Sequence, residues 1–213
     1  MRKKLEEEVL QAVEEVLPRL TRIARTLYEN PEIGGEEAAA SKLLCEFLEE
    51  NGFSVETDYW DIPHAFRAVC DSQKEGAAVG FFAEYDALPD IGHGCGHNLI
   101  CTTALGAAVS LKRALGELGG KVVVFGTPGE ENLQTKSVMA PQGAFDEIDA
   151  ALMAHPQPGT TSCGGKTLAV ESLQIEFFGK SAHAGVAPEE GINALDAAVL
   201  CYEIDRKSTR QNS

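Results

Sequence analysis

Between Ala77 and Leu115 an apolar run breaks into Glu84-Tyr85-Asp86-Ala87-Leu88-Pro89, then into Gly92-His93-Gly94-Cys95-Gly96-His97-Asn98, before apolar residues resume. That glycine-punctuated loop carries one thiol, Cys95, and two imidazoles, His93 and His97. Glycine lets a backbone close around a ligand where a Cβ would clash. On an extended backbone, residues two apart point to one side, so Cys95 and His97 offer a soft and a borderline donor to one cation. Two other segments end in similar chemistry. Lys121–Gly126 leads into Thr127-Pro128-Gly129-Glu130-Glu131, and Ala150–Ala154 leads into His155-Pro156. Cys95, His97, Glu131 and His155 make a mixed sulfur, nitrogen and oxygen set suited to Zn²⁺ or a similar first-row divalent ion. Adjacent residues on an extended segment face opposite ways, so of Glu130 and Glu131 one can bind metal while the other holds a water. A carboxylate beside such a water acts as general base, because the metal lowers the water's pKa toward ~7. Asp86 can accept a hydrogen bond from a ligating imidazole and fix its tautomer, or cap a turn. His183 lies too far along the chain for spacing to give it a role.

These donors need a scaffold that gathers them. Val79 to Phe82, Lys121 to Gly126 and Ala150 to Ala154 are short apolar runs bounded by turn residues, the pattern of strands buried on both faces. Leu5, Val9, Val13, Val16, Leu20, Ile23 and Leu27 recur at helical steps, which predicts a helix from Met1 to Tyr28, bent or interrupted at Pro18. Glu36 to Glu50 reads as a second helix stopped at Asn51-Gly52, and Leu99 to Leu115 as a third with Asn98 as its N-cap. Phe53–Thr57 and Phe66–Cys70 read as short strands. Strands alternating with helices predict an α/β fold with a largely parallel mixed sheet flanked by helices. In such sheets ligands gather beyond the carboxyl ends of the strands, and the candidate donors all follow those ends. After Pro158-Gly159 the pattern changes. Leu168–Phe178 alternates polar and apolar residues like a strand with one wet face, and Asn193–Asp205 reads as a helix. The sequence therefore divides into residues 1–165 and the beginning of a smaller α+β domain at 166–213.

The 213 residues carry a net charge of −15, the wrong sign for holding a nucleic acid backbone. The N-terminus is charged from the start, and the most apolar stretch, Leu99–Leu111, falls short of the ~20 residues a membrane span requires. Neither a nucleic acid nor a membrane partner is expected. Six cysteines lack framework spacing, which fits reduced thiols in a cytoplasmic protein. No Gly-x-Ser-x-Gly elbow, phosphate-binding glycine loop or zinc-deaminase motif is present.

Glu84–Pro89, Gly92–Asn98, Pro128–Glu131, Ala154–Pro156, and Gly179-Lys180-Ser181-Ala182-His183-Ala184-Gly185 with Gly191-Ile192-Asn193-Ala194 occur in one order along the chain. Together they resemble the co-catalytic metallopeptidases of the aminoacylase and hippurate-hydrolase type, clan MH. Within them the sequence is most similar to the aminobenzoyl-glutamate hydrolase and Xaa-Arg dipeptidase branch. The resemblance implies two divalent ions per site, Zn, Mn or Co, with Cys95, His97, Glu131 and His155 as ligands. It makes Glu130 the general base and Asp86 the residue that orients the site. His183 and Asn193 would bind substrate from a lid domain that also mediates homodimerisation. The implied reaction is hydrolysis of the amide bond of a small N-acyl amino acid or dipeptide. An aryl-amide carboxypeptidase and a noncatalytic metal- or peptide-binding fragment are the alternatives. Gly129, Asn98 and Asn132-Leu133-Gln134 depart from the pattern common in that family, which also has a further histidine ligand in a segment downstream of those present here.

Overall fold

The computed structural model describes residues 2–164 and 173–209, with side chains through 205. The chain divides into two compact units, Met1–Thr161 and Ser162–Ser213.

In the first unit, helix α1 (Arg2–Glu29) buries Leu5, Ala12, Leu20, Ile23, Ala24 and Leu27 along one stripe. It runs through Pro18 without the expected interruption. Pro18 faces solvent, so the Glu14 carbonyl that loses its amide partner remains open to water. Helix α2 (Ala38–Glu50) begins two residues later than the spacing predicts, because the Glu32 carboxylate accepts the amides of Ala39 and Ala40 and sets the first turn there.

Five strands follow: β1 (Ser54–Thr57), β2 (Phe66–Asp71), β3 (Ala78–Ala83), β4 (Lys121–Gly126) and β5 (Ala150–Leu152). They form one mixed sheet in the order β1-β2-β4-β3-β5. β3 is parallel to both β4 and β5, while β1 and β2 run antiparallel on the other flank. Side chains alternate across β4. Val122 and Val124 face the core built with α1, α2 and helix α3 (His97–Leu118). Val123 and Phe125 face a second cluster with Tyr59, Ala144 and Met139, the last from the short helix α4 (Thr135–Met139). That second layer includes Phe82, Phe125 and Phe145, with ring centroids 4.9–5.3 Å apart. Burial on both faces explains why β4 is apolar at consecutive positions. Of the described helices, α3 alone is long and apolar enough to cross a membrane by composition, yet most of it lies in the core.

The cap of α3 differs from expectation. The N-cap is Gly96, at φ +79°, and Asn98 lies inside the first turn, where its Nδ2 donates to the Ala24 carbonyl of α1 at 3.0 Å. A Cβ at residue 96 would stand 2.9 Å from Pro156 Cγ, so glycine serves both the left-handed backbone and the close approach of the segment after β5.

In the second unit Lys180 and Ile192 form an isolated antiparallel bridge, followed by helix α5 (Ala194–Thr209). Asn193 Oδ1 accepts the Leu195 amide and so caps this helix. The expected strand Leu168–Phe178 is not found over 173–178, which carry no regular structure. Its first residues, 168–172, and the expected boundary at 165/166 lie outside the described residues.

Candidate metal centre

β3, β4 and β5 run in one direction, so the segments leaving them emerge at one sheet edge. From β3 come Glu84 and Asp86, then the turn bearing Cys95 and the start of α3 with His97. From β4 comes the Glu130-Glu131 turn, and from β5 His155. The Gly96–Pro156 approach brings the His97 and His155 rings to 6.0 Å between centroids, edge to face.

Two groups of donor atoms result. One comprises Glu84, His97 and His155, the other Cys95, His97 and Glu131, and within each group the atoms lie within 4.8 Å of one another. The four expected ligands are thus all near His97. The reason differs from the one expected, because Cys95 sits in a turn and His97 on the helix. Glu130 and Glu131 likewise begin a turn and do not extend β4. Tertiary closure of the turns does what strand alternation was expected to do.

Asp86 is buried and joins two of these segments. Its Oδ1 bonds His97 Nδ1 at 2.9 Å, and its Oδ2 accepts the Glu131 amide at 3.0 Å. Burial pushes the Asp86 carboxyl up, but the bonds from His97 and the Glu131 amide outweigh it and hold it below its ordinary value. Burial pulls His97 down, yet Asp86, Glu84 and Glu131 outweigh that and raise it. With Nδ1 engaged by Asp86, only Nε2 of His97 is left to face the site. It lies 3.5 Å from Glu84 Oε2 and 3.6 Å from Glu131 Oε1. His97 Nε2 and Glu84 Oε2 are both buried and neither has a hydrogen-bond partner. Orphaned buried polar atoms aimed at each other are costly, and a shared cation is one of the few groups that satisfies both. The residues therefore fit a divalent ion.

The surroundings are strongly acidic. A hydrogen bond with Glu131, then burial, push the Cys95 thiol up to about 11. Burial, and then the neighbouring charge of Glu84, raise half-buried Glu130 from its ordinary value. His155 is exposed, and its Nδ1 lies 2.7 Å from the Pro156 carbonyl. His93 belongs to neither donor group. It is buried, and burial lowers its pKa. His183 and Asn193 belong to the second unit, where both are exposed and His183 Nδ1 accepts the Gly185 amide.

Three residues of this region carried no role in the sequence reading. Glu84 ion-pairs through Oε1 with Lys136, which belongs to α4. Glu37 is buried at the start of α2, and its two oxygens accept the amides of Gly35 and Gly129, each at 2.6 Å. It thereby ties the α2 start to the Glu130-Glu131 turn, which Gly129 enters at φ +64°. The only signal available was an acidic residue at the end of an apolar strand and another beside a helix start.

Comparison with known proteins gives the family and the fold. The chain is 36% identical over 209 residues to the Xaa-Arg dipeptidase of Homo sapiens, covering 90% of this chain and 48% of that protein. It is also 36% identical over 208 residues to one of the chains of the p-aminobenzoyl-glutamate hydrolase of Escherichia coli K12, covering 89% and 43%. The chain thus spans about half the length of these relatives. Its fold matches a crystal structure described as a dinuclear metal-binding peptidase from the M20 family of Bacillus subtilis. That match has a TM-score of 0.61 and 24% identity, over 68% of this chain and 44% of that one. Residues 65–211 match peptidase family M20/M25/M40, and the chain belongs to that family.

Proposed function

We propose that this chain carries the ion-binding part of a metal-dependent amidohydrolase that cleaves the amide bond of dipeptides or N-acyl amino acids. The observation that supports this most is the convergence of donors from three parallel strand ends on His97 Nε2, next to a second orphaned buried atom. Family membership and the names of the relatives point the same way. Cys95, His97, Glu131 and His155 hold the ions, two per site, with Zn, Mn or Co as candidates from the mixed donor set. A divalent ion in this position supplies Lewis acidity, polarising the carbonyl and lowering the pKa of a water toward ~7.

The chain's own residues do the rest. Asp86 fixes the His97 tautomer by engaging Nδ1, and through the Glu131 amide it fixes the entry to the acidic turn. Glu130 takes the proton from the attacking water and returns it to the leaving amine. Its place beside Glu131 in one turn and its half-burial support that role. His183 and Asn193 contact substrate from a lid domain beginning near residue 166, through which the whole protein forms a homodimer in the cytoplasm. Resemblance supports this last part.

The test is amine release from an Xaa-Arg dipeptide, an N-acyl amino acid and p-aminobenzoyl-glutamate, with Zn²⁺ or Mn²⁺. It is compared between this chain and a longer one of its relatives' length. Glu130→Gln should lower kcat by ~10²–10⁴-fold while the ion content stays unchanged. A variant as fast as wild type removes Glu130 from the base role. Preference for the aryl amide would select the carboxypeptidase reading.

A further inference from the structure

Glu84 exposes 2% of its surface, yet only one of its oxygens has a partner. Lys136 takes Oε1, while Oε2 points away from the lysine toward His97 Nε2. A purely structural ion pair does not require that geometry, since a carboxylate oxygen buried without a donor loses its hydration and gains nothing in return. Glu37 makes a contrast within the same unit, equally buried but with a backbone amide on each oxygen.

The spacing gives the reason. Bonds of ~2.0–2.2 Å in tetrahedral ligation set neighbouring donors roughly 3.3–3.6 Å apart. Glu84 Oε2 and Glu131 Oε1 stand 3.5 and 3.6 Å from His97 Nε2, long for a hydrogen bond and right for two donors sharing an ion. His155 lies in the same donor group as Glu84 and His97. Since Asp86 occupies Nδ1, His97 has one lone pair to give, and one lone pair serves one ion.

From this we infer that Glu84 is itself a ligand, binding a first-row divalent ion through Oε2 together with His97 and His155, while Lys136 balances its charge through Oε1. The inference rests on the metal-site reading above and adds a carboxylate to it. A harder, oxygen-richer site of this kind favours Mn²⁺ or Zn²⁺ over ions that prefer all-sulfur ligation. Lys136 is then a positioning residue, which turns the carboxylate so that one oxygen faces the ion.

The experiment is titration of the 213-residue chain with Zn²⁺ and Mn²⁺ by calorimetry, and with Co²⁺ by visible absorption. Wild type is compared with Glu84→Gln, Glu84→Asp, Lys136→Met and Cys95→Ala, with a thermal melt for each. Glu84→Gln should weaken binding about tenfold or more and alter the cobalt bands. Glu84→Asp keeps the charge but draws the oxygens back by one methylene, so it should weaken binding as well, and it serves if the glutamine variant does not fold. Lys136→Met leaves Oε1 of Glu84 unheld, so it should weaken ion binding less than Glu84→Gln does and shift the cobalt bands, a change that a merely structural lysine would not produce. Wild-type affinity and an unchanged cobalt spectrum in Glu84→Asp or Glu84→Gln, with binding lost in Cys95→Ala, overturn the inference and leave the metal site standing. Absence of binding of all three ions to wild type overturns both.

Discussion

Two groups of carboxylates in the first unit are balanced in opposite ways. Glu147, just before β5, lies between two cations. Arg67 of β2 holds it with both nitrogens of one edge, and Lys121 at the start of β4 donates to Oε2 at 2.6 Å. Arg67 foremost, against some cost of burial, brings Glu147 down to about 2. At the other cluster Glu84, Asp86, Glu130 and Glu131 gather with Cys95 around His97, and among the described residues Lys136 is the lysine or arginine ion-paired there. The first group completes its own charge balance and adds to the stability of the fold. The second has an excess of carboxylates and two orphaned buried atoms, which a cation from solution would satisfy.

The largest effect should come from adding that missing charge. A divalent ion at about 100 times its dissociation constant stabilises by about 2.7 kcal/mol, which for a domain of this size is a rise in Tm of roughly 5–10 °C. Differential scanning calorimetry with Zn²⁺ or Mn²⁺, reversed by EDTA, measures it. An unmoved Tm would mean that the acidic cluster is as self-sufficient as the one at Glu147.

A smaller effect is expected at Glu37, a buried carboxylate balanced by neutral donors alone. Glu37→Ala leaves the Gly35 and Gly129 amides unpaired and should cost about 2 kcal/mol in denaturant unfolding. It should also weaken ion binding, since Gly129 leads directly into Glu130 and Glu131. Destabilisation with unchanged ion affinity would separate this carboxylate from the site.

The self-balanced cluster gives a pH signature. The folded pKa of Glu147, about 2, lies below its ordinary 4.5, so its contribution is fully present above pH 4.5 and is lost as pH falls toward 2. The side chain is 23% exposed, and allowing for solvent screening Glu147→Gln should cost about 1.5 kcal/mol at pH 7. Wild-type and variant stabilities, measured by urea titration across pH, should converge between pH 4.5 and 2. A gap that persists at pH 2 would show that shape, not charge, holds this group.

The contrast between the clusters also marks what could be read from the sequence. β3 and β4 were legible because burial on both faces leaves continuous apolar runs, and the donors following each run were legible by type. The run at β5 gave the strand but not its burial, since at the sheet edge Ala150, Ala151 and Leu152 are all exposed. The partners of the donors were not legible. Lys136 meets Glu84 across 52 positions and Glu37 meets Gly129 across 92, and no local pattern encodes such pairs. Turns mislead in the same way: strand geometry assigns Glu130 and Glu131 to opposite faces, whereas a turn begins at that point. Residues 173–178 alternate polar and apolar side chains yet carry no regular structure, so alternation by itself does not make a strand.

The smallest effect tests whether packing or charge keeps His97 in place. Asn98, expected to accept a helix amide, instead donates from Nδ2 to the Ala24 carbonyl and pins the first turn of α3 to α1. Residue type alone cannot separate these roles, since one amide side chain carries both donor and acceptor. Asn98→Ala removes one neutral buried hydrogen bond and should cost about 1 kcal/mol. His97 keeps its bond to Asp86 in that variant, so a thermal melt should shift by a few degrees while the Zn²⁺ isotherm remains that of wild type. If the isotherm weakens along with the melt, the α1–α3 contact, and not the carboxylates, sets the position of the imidazole.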